Sequence, residues 1–261
     1  MGQVRIDRHG EAGHVAELVL DRPDALNALS EALAADISAA AGELAADPTV
    51  RAVVVSSSQL RAFCVGADLK ERNRSSDDDL RRQRQALRSG SAALLGLPVP
   101  AVAAVAGFAL GGGLELALSC DLIVADDTAV VGLPETSVGV IPGLGGTQLV
   151  SRRIGWSRAA DLVFTARRLD AAEAYRMGLV DRLVPAGAAR TAALELAGRI
   201  AANSPAALRN AKRAMRLGHD VDLAAALEIE DAAWRATAFS ADRAEGVRAF
   251  VEKRPPRWPD S

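Results

Sequence analysis

Gly107 to Asp121 reads GFALGGGLELALSCD, and both the fold and the chemistry turn on this stretch. Three consecutive glycines, Gly111 to Gly113, stand directly before a short apolar helical run that carries one acid, Glu115. Glycine lets the chain turn sharply and lets a ligand approach the main chain. The first N–H groups of a helix have no partner within it, so they bind an oxyanion with the helix dipole behind them. The Gly112 N–H suits a carbonyl oxygen that gains negative charge during a reaction. Two other readings stay open: close packing of backbone, and a cradle for phosphate. Neither GxGxxG nor GxxxxGK(S/T) occurs in the stretch, which counts against a nucleotide.

Working outward, Val99 to Ala106 is β-branched and apolar, a buried strand that feeds the glycines, and Leu122–Ala125 and Ala129–Val131 read as short strands beyond them. Upstream, Val4–Arg8 and Val15–Leu20 flank the turn-like HGEAG, a hairpin pattern. Ser30 is placed to cap an Ala-rich helix ending near Asp47-Pro48, and the strand RAVVVSSS follows. Ala62 to Lys70, AFCVGADLK, repeats the strand-to-helix turn, with Gly66 at the bend and Asp68 at a helix start. Strand, turn and helix thus recur three times, which favours an α/β fold with a largely parallel, buried sheet under helices. Asn73 to Arg88 is dense in charge, read as a solvated helix face or a lid over a pocket. Downstream, Pro134-Glu135 sets a second acid after a proline, and Gly139 to Gln148 is a turn-rich loop feeding a helix. From about Trp156 the pattern is mainly helical, with Ser204-Pro205 and Ser240 at helix starts and PPRWPD as a terminal stop.

With 49% hydrophobic residues over 261 positions, the chain can bury a large core, as one domain or one domain with a small appendage. A net charge of −2 offers no basic field for nucleic acid or an anionic membrane. The basic run Arg81-Arg82-Gln83-Arg84 leaves an RNA-binding oligomer as a distant alternative, without interleaved aromatics to support it. Cys64 and Cys120 are too few for a disulfide framework and read as core residues, and His9, His14 and His219 form no cluster, so no metal is expected. No apolar run approaches the length of a membrane span, and the expected location is the cytoplasm.

Four motifs taken together, AFCVGADLKE, GFALGGGLELALSCD, GLPETSVGVIPGLGGTQ and AEGVRAFVEKR, resemble the crotonase, or enoyl-CoA hydratase/isomerase, family in order and spacing. The resemblance implies a spiral of ββα units over residues 1–185 and an α-helical C-terminal trimerisation part over 186–261, assembled as a homotrimer or a hexamer. It implies an acyl-CoA thioester substrate and no separate cofactor. The family's oxyanion hole falls on the N–H groups of Ala67 and Gly112, and its two hydratase acids on Glu115 and Glu135. By that resemblance Glu135 exchanges the Cα proton and Glu115 holds and deprotonates water. Taken alone, Glu115 also reads as a dipole partner on the first turn of its helix.

Coenzyme A contacts are implied at Ala25 and Leu26, at Gly66, Ala67, Asp68, Leu69 and Lys70, and at Gly111, Gly112, Pro134 and Gly143. Phe250 and Lys253 match a C-terminal pair that reaches coenzyme A in a neighbouring subunit, although Lys253 fits a solvated helix end equally well. The chain departs from many relatives at Leu149, where they carry arginine. Hydration of a trans-2-enoyl-CoA is the expected activity, because both acids are present. Double-bond isomerisation, decarboxylation or thioester hydrolysis are the alternatives within the family.

Overall fold

The computed structural model describes residues 2–73 and 75–259; Arg74, within the charged segment, and Asp260, within the terminal stop, lie outside the described residues. Strands β1 (Val4–His9) and β2 (Val15–Leu20) form the expected antiparallel hairpin, with Val4 opposite Leu20. Ser30 caps α1 (Glu31–Ala46), its Oγ accepting the Leu33 N–H at 3.1 Å. There follow β3 (Ala52–Ser57), β4 (Ala62–Cys64), α2 (Leu69–Arg72) and α3 (Asp77–Leu95). The next unit is β5 (Ala101–Val105), β6 (Phe108–Leu110) and α4 (Gly112–Leu118). Then come β7 (Leu122–Asp126), β8 (Val130–Gly132) and a 3-10 turn, Pro134–Val138.

From β3 onward, each unit gives its first strand to one sheet and its second to another. The larger sheet has the order β1-β2-β3-β5-β7 and is parallel from β2 onward, whereas β4, β6 and β8 pair in parallel in a smaller sheet. The chain therefore climbs as a spiral of ββα turns, and each climb from the small sheet into a helix exposes the N–H groups of a new helix start. The remainder comprises α5 (Gly146–Ile154), α6 (Trp156–Thr165), β9 (Arg168–Asp170), α7 (Ala171–Arg176) and β10 (Arg182–Val184). Helices α8 (Ala189–Ala201), α9 (Pro205–Gly218), α10 (Leu223–Ala238) and α11 (Ala241–Val251) close the chain.

Three strands depart from the sequence reading. β6 lies inside what reads as a continuous run into the glycines, and β9 and β10 lie inside a region that reads as helical; β9 closes the small sheet antiparallel to β8, and β10 closes the large one beside β7. Three residues are too few to show a period of two, so these strands are fixed by their partners. Helix α3 also begins later and runs further than the charged segment suggests, because Ser76 and Asp79 form a reciprocal capping box at its start.

The main core lies between the large sheet, α1 and α3, where Leu18, Leu33, Ile37, Val53 and Leu94 are wholly buried. A second core lies on the sheet's other face, where Ala193, Leu196 and Ala197 of α8 meet Val54, Val102 and Val124. The buried Glu17 carboxylate fastens this face, taking two hydrogen bonds of 2.6 Å from Arg190 and one from Ser56. By contrast, α9 buries only Pro205, and no residue of α10 is buried.

Candidate active site

The two strand-to-helix turns meet. Gly66 adopts φ +88°, and a Cβ there would stand 2.7 Å from the Leu110 carbonyl and 3.3 Å from the Gly112 nitrogen. Only glycine permits both this conformation and this approach. Leu29 bridges the first turn from the side: its N–H donates to the Gly66 carbonyl (2.7 Å) and its carbonyl accepts from Asp68 N–H (3.0 Å). In such a parallel bridge the intervening residue points its own N–H away, so Ala67 keeps a spare donor. Gly112 opens α4 and has the unpaired N–H of a helix start. Among the described residues neither N–H has a backbone acceptor, and they stand on adjoining turns.

The segment before Leu29 is locked by a residue the sequence reading passed over. Leu26 and Asn27 both adopt left-handed φ, of 51° and 54°. Asn27 is wholly buried; its Oδ1 accepts Arg22 N–H (2.8 Å) and its Nδ2 donates to Ser57 Oγ (2.8 Å) and the Phe63 carbonyl (2.9 Å). Asparagine's tolerance of left-handed backbone was the available clue. The Ala25-Leu26 segment is thereby held beside Val65, whose N–H donates to the Leu26 carbonyl. Asp68 caps α2 through Lys70 and Glu71 N–H and pairs with Arg22 at 2.8 Å. Burial pushes its carboxyl up, but Arg22 and the two amides outweigh this and hold it below the usual range. Leu69 and Lys70 are exposed at the outer lip.

Both acids come to the second turn. Glu135 is the second residue of the 3-10 turn that Pro134 opens, and it lies over Gly111, where a Cβ would stand 2.8 Å from Glu135 Oε1. Its other oxygen, Oε2, is buried with no hydrogen-bond partner. Glu115, only 1% exposed, is differently held: its Oε1 accepts the N–H groups of Leu144 (2.6 Å) and Gly146 (2.7 Å). Burial raises both carboxyls. Glu135 rises to about 7, with the Glu115 charge adding to the effect of burial. Glu115 also rises, but its backbone donors and the Arg84 charge oppose the burial. Environment thus drives the pair apart, the arrangement that lets one carboxyl act as acid while the other acts as base.

Of the other expected residues, Gly143 belongs to the loop around Glu115, its carbonyl accepting from Arg84. Phe250 and Lys253 are not brought to this cluster: α11 packs on α9 and α10, and Phe250 is 85% exposed. Cys64 and Cys120 are buried, with burial pushing each thiol up to about 12, so they are neutral packing groups. Among the described residues no His, Cys, Asp or Glu set is arranged to hold a metal. Chemically, the site offers two adjoining N–H donors for an oxyanion and two carboxyls of unequal acidity beside them.

A sheet spiral with this pair of turns defines a class. The chain belongs to the enoyl-CoA hydratase/isomerase family, whose sequence profile matches residues 10–261. It is similar to methylglutaconyl-CoA hydratase of Mus musculus, 43% identical over 94% of this chain and 79% of the relative. It is 42% identical to the mouse enoyl-CoA hydratase domain-containing protein 2, over 94% of this chain and 84% of that one. The crystal structure of an enoyl-CoA hydratase from Bacillus anthracis superposes with a TM-score of 0.96 at 38% identity, covering 99% of this chain and 100% of that one.

Proposed function

We propose that the protein is an enoyl-CoA hydratase, adding water across the 2,3 double bond of a trans-2-enoyl-CoA to give a 3-hydroxyacyl-CoA. The observation that carries this is the unequal pair: Glu135 with an acidity near neutral and an unpartnered oxygen, Glu115 with an amide-stabilised carboxylate. In this reading Glu115 takes a proton from water as its oxygen bonds to Cβ, and protonated Glu135 gives its proton to Cα. The thioester oxygen carries the enolate charge meanwhile, against the Ala67 and Gly112 N–H groups. Loss of one such donor costs about 10² to 10³ in turnover. Water regenerates the starting protonation states.

Coenzyme A would run past Ala25, Leu26, Gly66, Leu69 and Lys70, with Phe250 and Lys253 supplied by a neighbouring subunit of a trimer or hexamer. The exposed α10 and the exposed Phe250 support an assembly. The pathway would be acyl-CoA catabolism in the cytoplasm, and no helix among the described residues is long and apolar enough to cross a membrane. The basic run at Arg81 and Arg82 gives little support to RNA binding, because each pairs with an aspartate one turn earlier on α3, Asp78 and Asp79.

A second reading is favoured by the same geometry. Glu115 Oε1 is occupied by two amides, so Glu135 alone could move a proton between Cα and Cγ, which is isomerisation. The test follows the enoyl-thioester absorbance with short trans-2-, trans-3- and carboxylated branched enoyl-CoA substrates. Hydration predicts rapid loss of the trans-2 signal, abolished in both Glu115→Gln and Glu135→Gln. Isomerisation predicts gain of signal from the trans-3 compound, surviving Glu115→Gln. A wild-type protein that changes none of the three substrates defeats both.

A further inference from the structure

We propose that Arg84 is a positioning residue for Glu115, acting through the peptide group between Gly143 and Leu144. The inference deepens the hydratase reading, in which Glu115 is the base. One face of that peptide meets a cation and the other an anion. Arg84 Nη1 donates to the Gly143 carbonyl, and the N–H of the same peptide, on Leu144, donates to Glu115 Oε1 at 2.6 Å. A cation at the oxygen end polarises the amide and strengthens the bond at its N–H end. The guanidinium thus reaches the buried carboxylate while staying at the surface.

The rest of α3 supports the same loop. Ser91 lies seven residues after Arg84, two helical turns along one face, and is 3% exposed. Its Oγ donates to the Leu144 carbonyl at 2.9 Å and lies 3.0 Å from Ser119 Oγ, which itself bonds the Glu115 carbonyl at 2.8 Å. Helix α3 therefore grips both consecutive carbonyls of the loop whose amides hold Glu115. Gly143 is part of the device, because a methyl there would collide with the Arg84 guanidinium.

Other charges facing Glu115 are few. Glu135 stands across the turn; from α5, Arg152 is committed to Asp220 and Arg153 to Asp181. Cys64 of β4 is neutral. Burial pushes the Glu115 carboxyl up, its amides pull it down, and the Arg84 charge adds to the amides.

The experiment compares Arg84→Gln, Arg84→Lys, Gly143→Ala and Ser91→Ala with the wild type. The first readout is the acidic limb of kcat/KM against pH, where protonation of Glu115 removes the base. Without the Arg84 charge that limb moves to higher pH, because the buried carboxylate loses a favourable charge. We expect Arg84→Gln and Gly143→Ala to shift it alike, with kcat down about three- to tenfold and KM within about twofold. Arg84→Lys restores the limb, and Ser91→Ala lowers the rate without moving it. An unmoved limb in Arg84→Gln, or a shift that lysine does not reverse, overturns the proposal.

A second readout needs no turnover: the carboxyl-13C NMR titration of Glu115, assigned by its loss in Glu115→Gln, must show the same upward shift in Arg84→Gln. An inactive wild type with that shift defeats the hydratase reading alone. An active wild type without it defeats the role of Arg84. Should Arg84→Gln fail to fold, Gly143→Ala carries the same test with the arginine in place.

Discussion

Glu115 and Glu135 approach one pair of turns from two kinds of backbone. The first sits on a regular helix, fully buried, with its carboxylate gripped by loop amides. The second sits on a short 3-10 turn, half-buried, with one oxygen left unpartnered. The difference shows how a chain separates the acidities of two identical side chains with main-chain donors and one cation at the surface. Donors decide which carboxyl keeps its charge, and the lack of donors decides which keeps its proton.

The largest effect that sharpens this contrast is kinetic. Replacing either glutamate by glutamine should lower turnover about 10²- to 10⁴-fold, measured on a trans-2-enoyl-CoA that the wild type hydrates. The pH profile should then show that the reacting pair holds one proton. Hydration should fall as pH rises through about 7, where Glu135 loses its proton, and the reverse dehydration should fall with it, because both directions start from the singly protonated pair. A hydration rate that climbs through neutrality would mean that the pair reacts without a proton, against an acid role for either carboxyl.

A smaller effect concerns stability. A Glu135 carboxyl raised from 4.5 to about 7 binds its proton more tightly folded than unfolded. The protein should therefore lose stability from this group as pH rises through that window, and bear the full cost above it. Glu135→Gln should be more stable than wild type at pH 8 by roughly 1–3 kcal/mol, discounted for partial exposure, and should lose that advantage below about pH 4.5. Denaturant midpoints at the two pH values check this; an equal advantage at both would assign the gain to packing.

The smallest test probes the glycines beneath each acid. A methyl at Gly111 would stand 2.8 Å from Glu135 Oε1, and one at Gly146 would stand 2.8 Å from Glu115 Oε1. Each alanine should cost about 1–3 kcal/mol, with Gly111→Ala the worse because its φ is +53°. Thermal unfolding of the two variants ranks them, and equal losses would mean that the backbone conformation at Gly111 is not a constraint.

Much of this was legible beforehand for definite reasons. The hairpin, the Ser30 cap and the two glycine turns leave local marks, because each depends on residue types with special backbone or hydrogen-bonding behaviour. The grip on Glu115 left none. Its donors are main-chain amides of Leu144 and Gly146, which every residue but proline possesses, so no side-chain pattern announces them. Arg84 was hidden differently, inside a charged run that reads as a solvated face, and two of its neighbours do pair along that face. The short strands β6, β9 and β10 acquire their identity from partners distant in sequence.

Helix α10 has a consequence for the order in which the molecule opens. It runs through sixteen residues, none of them buried, and rests mainly on α9. Little apolar surface holds it down in the single chain, so its backbone amides should trade hydrogen for deuterium through local opening, long before those of β3 or β5. Any ligand or partner that covers the exposed Leu223, Leu227 and Trp234 would slow that exchange and make the arm a reporter of its binding.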